Sequence, residues 1–150
     1  MTISGVAMEQ TDGVLIADPP NRILLYPPHK IHSGGYGFEH NVELVGGPFQ
    51  GTMVASSYVG LPALLAFHRE LLTLYRTLIG EAHLPGLYEN LALSFVGDGL
   101  GHIRVNVDAR AGPLMEVRFS FELHIDQTQL LAIIAGIDRH FLSIPAHESR

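Results

Sequence analysis

Between His102 and Ile125 apolar and polar residues alternate in two runs, and this period of two constrains the fold more than any other feature. Ile103, Val105 and Val107 share one face of a strand, and Val117, Phe119, Phe121, Leu123 and Ile125 share one face of the next. The other face carries His102, Arg104, Asn106 and Asp108, then Glu116, Arg118, Ser120, Glu122 and His124. A slip of one residue would drive these charges into the core, so the parity of the pairing is firm and the exact register is not. With "ARAGP" as the turn, Asp108 falls near Glu116, Asn106 beside Arg118 and His102 beside Glu122. Upstream, "LALSFV" points Leu91, Leu93 and Phe95 one way and is joined by the turn "GDGLG", which makes a meander with one dry face.

The first sixty residues are short apolar runs cut by turn formers. "GVLIAD", "RILLYP", "YGFEHNVELV" and "FQGTMVASSYV" read as four strands, antiparallel because the connections are too short for parallel crossovers. A helix begins at Gly60-Leu61-Pro62, where proline fits the first turn, and stops at Gly80. Its apolar half includes Leu64, Phe67, Leu71 and Leu78, with His68 as the one polar intruder, expected as a core histidine hydrogen-bonded to backbone or to a tyrosine. "EAHLPGLYEN" reads as a loop. A second helix starts at Asp126, which with Gln129 completes a capping-box pattern, and buries Leu130, Ile133, Ile134, Ile137 and Phe141. The expected fold is α+β in a single domain, 1–150. It has one antiparallel sheet of about six to seven strands and two amphipathic helices, about 61–79 and 127–142, in the order ββββ-α-βββ-α.

Composition narrows the chemistry. No cysteine is present, so disulfides, thiolate zinc sites and a thiol nucleophile are excluded. One lysine and eight scattered arginines against fifteen acids, a net charge of -6, argue against nucleic acid as a partner. No basic residue falls between Arg76 and Arg104, where Glu81, Glu89 and Asp98 predict a locally negative surface. G-x-S-x-G, the P-loop and G-x-G-x-x-G are all missing, and no nucleophile, base and orienting group can be named together. The chain is therefore expected to be no enzyme and to need no cofactor. The start lacks a basic n-region with an apolar run and no long apolar span follows, which predicts a cytoplasmic protein with no membrane partner.

The histidine-rich stretch "PPHKIHSGGYGFEH" holds the one arrangement resembling a metal motif, His29-x-x-His32 with His40 eight residues on. Turn formers surround the pair, and "HSGGYGF" reads as a flexible connector whose glycines supply positive φ before Tyr36 and Phe38 enter a strand. A small-ligand or metal-binding domain built on His29, His32 and His40 is the alternative reading. Glu39 and Glu43, on one strand face, lie about 13 Å apart, beyond the roughly 5–9.5 Å of glycosidase pairs, and read as a solvated edge. On the second helix, Ala132, Ala135 and Gly136 leave a smooth back that a homodimer could use.

Three segments carry a family resemblance: "LLAFHRELLTLYRTLIGEAHL", "LALSFVGDGLGHIRVNVDA" and "LMEVRFSFELHIDQTQLLAIIAGI". An amphipathic helix ending at Gly80, the strand start Gly101-His102-Ile103 and the helix start Asp126-Gln127-Thr128-Gln129-Leu130 resemble the small bacterial immunity-type proteins of the WapI sort, found beside secreted contact-dependent toxins. The resemblance spans roughly residues 61 to 142 and implies a non-catalytic protein that binds and neutralises one cognate toxin. It transfers no binding residue. The residues expected to form a partner surface, His102, Arg104, Arg118, Glu122 and His124, come from their convergence on the open sheet face.

Overall fold

The computed structural model describes residues 12–31, 37–57, 61–84 and 90–143. Among these residues eight strands form two four-stranded antiparallel sheets rather than one sheet. The first contains β1 (Val14–Asp18), β2 (Asn21–Ile31), β3 (Phe38–Gly46) and β4 (Phe49–Ser57) in that spatial order. Helix α1 (Leu61–Thr77) leads to the second sheet, whose order is β5 (Ile79–Leu84), β6 (Leu91–Asp98), β7 (His102–Ala111) and β8 (Val117–Asp126). Helix α2 (Gln127–Ile137) then widens into a π-helical turn over Asp138–Leu142.

The expected element order gains one strand, β5. It pairs only with β6, from Ile79↔Asp98 to Leu84↔Leu93, and of its side chains only Ala82 is buried. A lone buried residue on an edge strand produces no apolar alternation, which is why "EAHL" reads as loop. Helix α1 ends at Thr77, short of Gly80, because Leu78 turns left-handed at φ 65° and Gly80 follows at φ 110°. The released Leu78 carbonyl accepts the Gly99 N–H at 2.7 Å, and a Cβ at Gly97 would lie 2.5 Å from that same oxygen. Glycine at 97 therefore lets the helix end dock on β6.

One core joins both sheets and both helices. Ile16, Ile23 and Val42 from the first sheet meet Phe95, Val105 and Leu123 from the second, with Phe67 and Leu71 of α1 and Leu130 and Ile137 of α2. Phe67 and Phe95 are 1% and 0% exposed, their rings 5.7 Å apart. Helix α1 lies on β5 and α2, while α2 lies on β1 and β8. Two polar stitches tie the halves together: Asp18 accepts the His124 N–H at 2.9 Å, and Gln129 Nε2 donates to the Ala17 carbonyl at 2.9 Å.

The capping box forms as the sequence predicts. Asp126 accepts the N–H groups of Thr128 and Gln129, and the Gln129 side chain accepts the Asp126 N–H. A hydrogen bond from the Thr128 hydroxyl, and then those backbone bonds, hold the Asp126 carboxyl below its ordinary pKa. Asp126→Ala is expected to destabilise the fold by removing this cap. The check is the urea midpoint, which should fall with the slope unchanged.

Candidate functional site

The outer face of β7 and β8 is a polar ladder laid down by alternation. Parity is as expected, and the register differs: Arg104 pairs with His124, Asn106 with Glu122, Asp108 with Ser120, and Arg110 with Arg118. Strand β7 runs on through "ARA" to Ala111, and the turn is confined to 112–116, where Gly112 and Met115 have positive φ and Met115 N–H bonds to the Gly112 carbonyl. Asn106 is thus not beside Arg118, nor His102 beside Glu122. His102 instead pairs with Asp126 across the strands.

All five candidate residues share the exposed face of one hairpin. Arg104 sits directly opposite His124. His124 Nε2 lies 3.6 Å from Glu122, and His102 Nδ1 lies 3.2 Å from Asp98. Arg118 stands at the far end, six residues or about 20 Å along β8 from His124. There Asp108 gathers Arg118 Nε at 3.0 Å, the Ser120 hydroxyl at 3.1 Å and, at 3.5 Å, Arg110. Partial burial pushes the Asp108 carboxyl up, but the hydrogen bonds from Arg118 and Ser120 outweigh it, and its pKa lies below the ordinary value.

The acidic middle segment is partly spent on turns. Asp98 accepts the N–H groups of Leu100 and His102, and the Leu100 bond is the chief cause of its lowered pKa. Glu81 is engaged by His83 at 2.7 Å. Glu89 lies outside the described residues, as do His32 and Tyr36.

Of the histidine-rich stretch, residues 27–31 and 38–40 are strand, and most of the "HSGGYGF" connector, residues 32–36, lies outside the described residues. Strand β2 continues through Pro27, Pro28 and His29 to Ile31, with register shifts on both sides of Pro28. Proline is accepted there because a bulge needs no ladder donor. His29 is exposed and His40 is buried, the charge of His29 reaches His40, and His32, the third member of the set, lies outside the described residues. Among the described residues no three histidine or acidic side chains are grouped to hold a metal ion. Glu43 lies on β3, which is central rather than an edge, and bonds Arg22 at 3.0 Å.

His40 is the one buried polar or charged residue of the described core, wedged between Phe38 and Phe141. Burial lowers its pKa to about 4, against opposition from the backbone at Tyr26 and Asn41 and with help from His29. Its Nδ1 has no hydrogen-bond partner among the described residues, and His40 is one of the residues lining a cavity of about 30 Å³. His68 is half-buried, and its Nε2 likewise lacks the expected partner. Gly136 faces β1 of the same chain, since a Cβ there would lie 3.3 Å from Val14 Cγ2, whereas Ala132 and Ala135 are exposed.

A second feature was not evident from sequence. Asn90, which reads as a loop residue, lies between the sheets: its side-chain oxygen accepts the Ser56 N–H at 2.9 Å and its amide donates to the Val54 carbonyl at 2.8 Å. Its own carbonyl accepts Arg110 N–H at 2.8 Å, so one residue joins β4 to β7. Beyond it the seam opens into a groove of about 280 Å³ bordered by Phe49, Met53, Val117 and Phe119. An asparagine between a Gly/Pro-containing loop and a strand start was the available signal, and it is too common to single out a bridge.

The family model described as the immunity protein WapI-like family matches residues 33–145. No curated protein and no solved structure matches the chain.

Proposed function

Because the chain belongs to the WapI-like immunity protein family, we propose that it is a non-catalytic binding module that neutralises a cognate bacterial toxin. The family match carries this reading, and the geometry supports it. Two sheets and two helices on a shared core make a rigid scaffold, and an exposed hairpin face presents both signs of charge. In this proposal His102, Arg104, Arg118, Glu122 and His124 belong to the surface that meets the toxin. Charges at the rim of such a contact act mainly on the rate of encounter.

Neutralisation is tested by expressing any candidate toxin encoded beside this chain's gene with and without it. Rescue of growth and co-purification of the pair are expected, and growth arrest despite abundant folded chain would refute the reading. Within the complex, the double reversal Arg104→Glu, Arg118→Glu is expected to weaken binding about tenfold, chiefly through slower association at low salt. Unchanged association kinetics would remove these residues from the surface.

A further inference from the structure

The edge of β4 is closed at one end and open at the other. The Ser56 N–H and the Val54 carbonyl, both taken by the Asn90 amide, point away from β3. Backbone groups of alternate residues point the same way along a strand, so the N–H and C=O of Thr52 and Gln50 point to that edge too. Among the described residues nothing pairs with them, since β4 is the last strand of its sheet. The Asn90 amide thus imitates the first peptide group of a missing neighbour strand, and the next two positions of that ladder are empty.

What lies in front of the open positions is apolar below and cationic at the rim. Phe49, 66% exposed, meets Phe119 edge-on with ring centroids 6.4 Å apart, and Val117 is 58% exposed. The charged residues bordering the groove are Arg110 and Arg118, and Asp108 is the acid both approach. This leaves a local excess of one positive charge on a chain whose net charge is -6. An unpaired strand edge beside an apolar trough is the arrangement that takes up an extended peptide by strand addition.

We propose that the seam between β4 and the β7–β8 hairpin receives an extended segment of the toxin that pairs with Thr52 and Gln50, sets apolar side chains on Phe49 and Phe119, and offers carboxylates to Arg110 and Arg118. This rests on the neutralising role proposed above. Arg118 belongs to both surfaces, which makes the groove continuous with the hairpin face.

The probe is an end-blocked heptapeptide alternating valine and aspartate, with a valine–lysine peptide as control, titrated to millimolar concentration into the full chain and followed by amide NMR. Shifts centred on Gln50 and Thr52 with the acidic peptide alone are expected. Thr52→Pro deletes an outward N–H without touching the β3–β4 ladder, and is expected to weaken binding about tenfold. Arg110→Glu with Arg118→Glu should weaken it comparably while keeping the fold. No shift at those two amides, equal response to the lysine peptide, or a dimer of the chain that Thr52→Pro dissociates would overturn the proposal, the last by making a second copy the occupant. Growth protection that survives Thr52→Pro undiminished would reject the groove and keep the neutralising role. Loss of protection by the unaltered chain would reject that role instead.

Discussion

Phe95→Ala is expected to destabilise the fold by about 3–5 kcal/mol, a large part of the roughly 5–15 kcal/mol that holds a domain of this size together. Phe95 is fully buried on the central strand β6, and its ring meets Phe67 of α1, so truncation opens a cavity where the second sheet meets the helix. The sheet is paired on both sides there, through Ala82 and Val105, and cannot collapse inward to fill the space. Urea unfolding of the variant would show it, together with Phe67→Ala and the double variant. Because the two rings touch, the double is expected to cost less than the sum of the singles. Strict additivity would mean that the contact between them contributes nothing of its own.

Acid should remove a further roughly 3 kcal/mol through His40. In the unfolded chain this imidazole takes a proton around pH 6.5, whereas in the core burial defers protonation to about pH 4. Between those values the unfolded state binds more protons, so stability rises with pH across the window: the contribution is fully present above pH 6.5 and lost on descending to 4. Asp98, Asp108 and Asp126, with lowered pKa values, act in a separate window below their ordinary 3.8. His40→Leu is expected to flatten the upper window, its cost at pH 7.5 being set by the hydrogen bonding to the Tyr26 and Asn41 backbone that the imidazole gives up. Urea midpoints at pH 7.5, 5.5 and 4.5 for both proteins test this, and parallel slopes would show that other groups cause the acid sensitivity.

What the sequence reveals depends on how many neighbours share one period. The parity of β7 and β8 is legible because eight alternating apolar residues agree, from Ile103 to Ile125. The cap at Asp126 is legible because its chemistry is local. The register of the same hairpin is not, since it hangs on Met115 adopting φ 56°, a conformation that no methionine advertises. Strand β5 escapes notice for want of a second buried side chain, and the continuation of β2 through Pro27 and Pro28 runs against the usual meaning of two prolines. The division into two sheets is a long-range matter, decided by β4 pairing with β3 alone and β5 with β6 alone. The seam at Asn90 is hidden for the same reason, because Ser56 and Asn90 are 34 residues apart.

Among the described residues every strand ladder joins neighbours along the chain: β1 to β4 in order, then β5 to β8 in order. Each pairing therefore closes a short loop, and the entropy lost in closing it is small. Low contact order of this kind speeds folding. During synthesis the residues of the first four strands leave the ribosome before α1 or the second sheet exists. Their apolar face, with Ile16, Ile23 and Val42, must then wait uncovered, which gives the cell an interval in which a holding chaperone has most to protect.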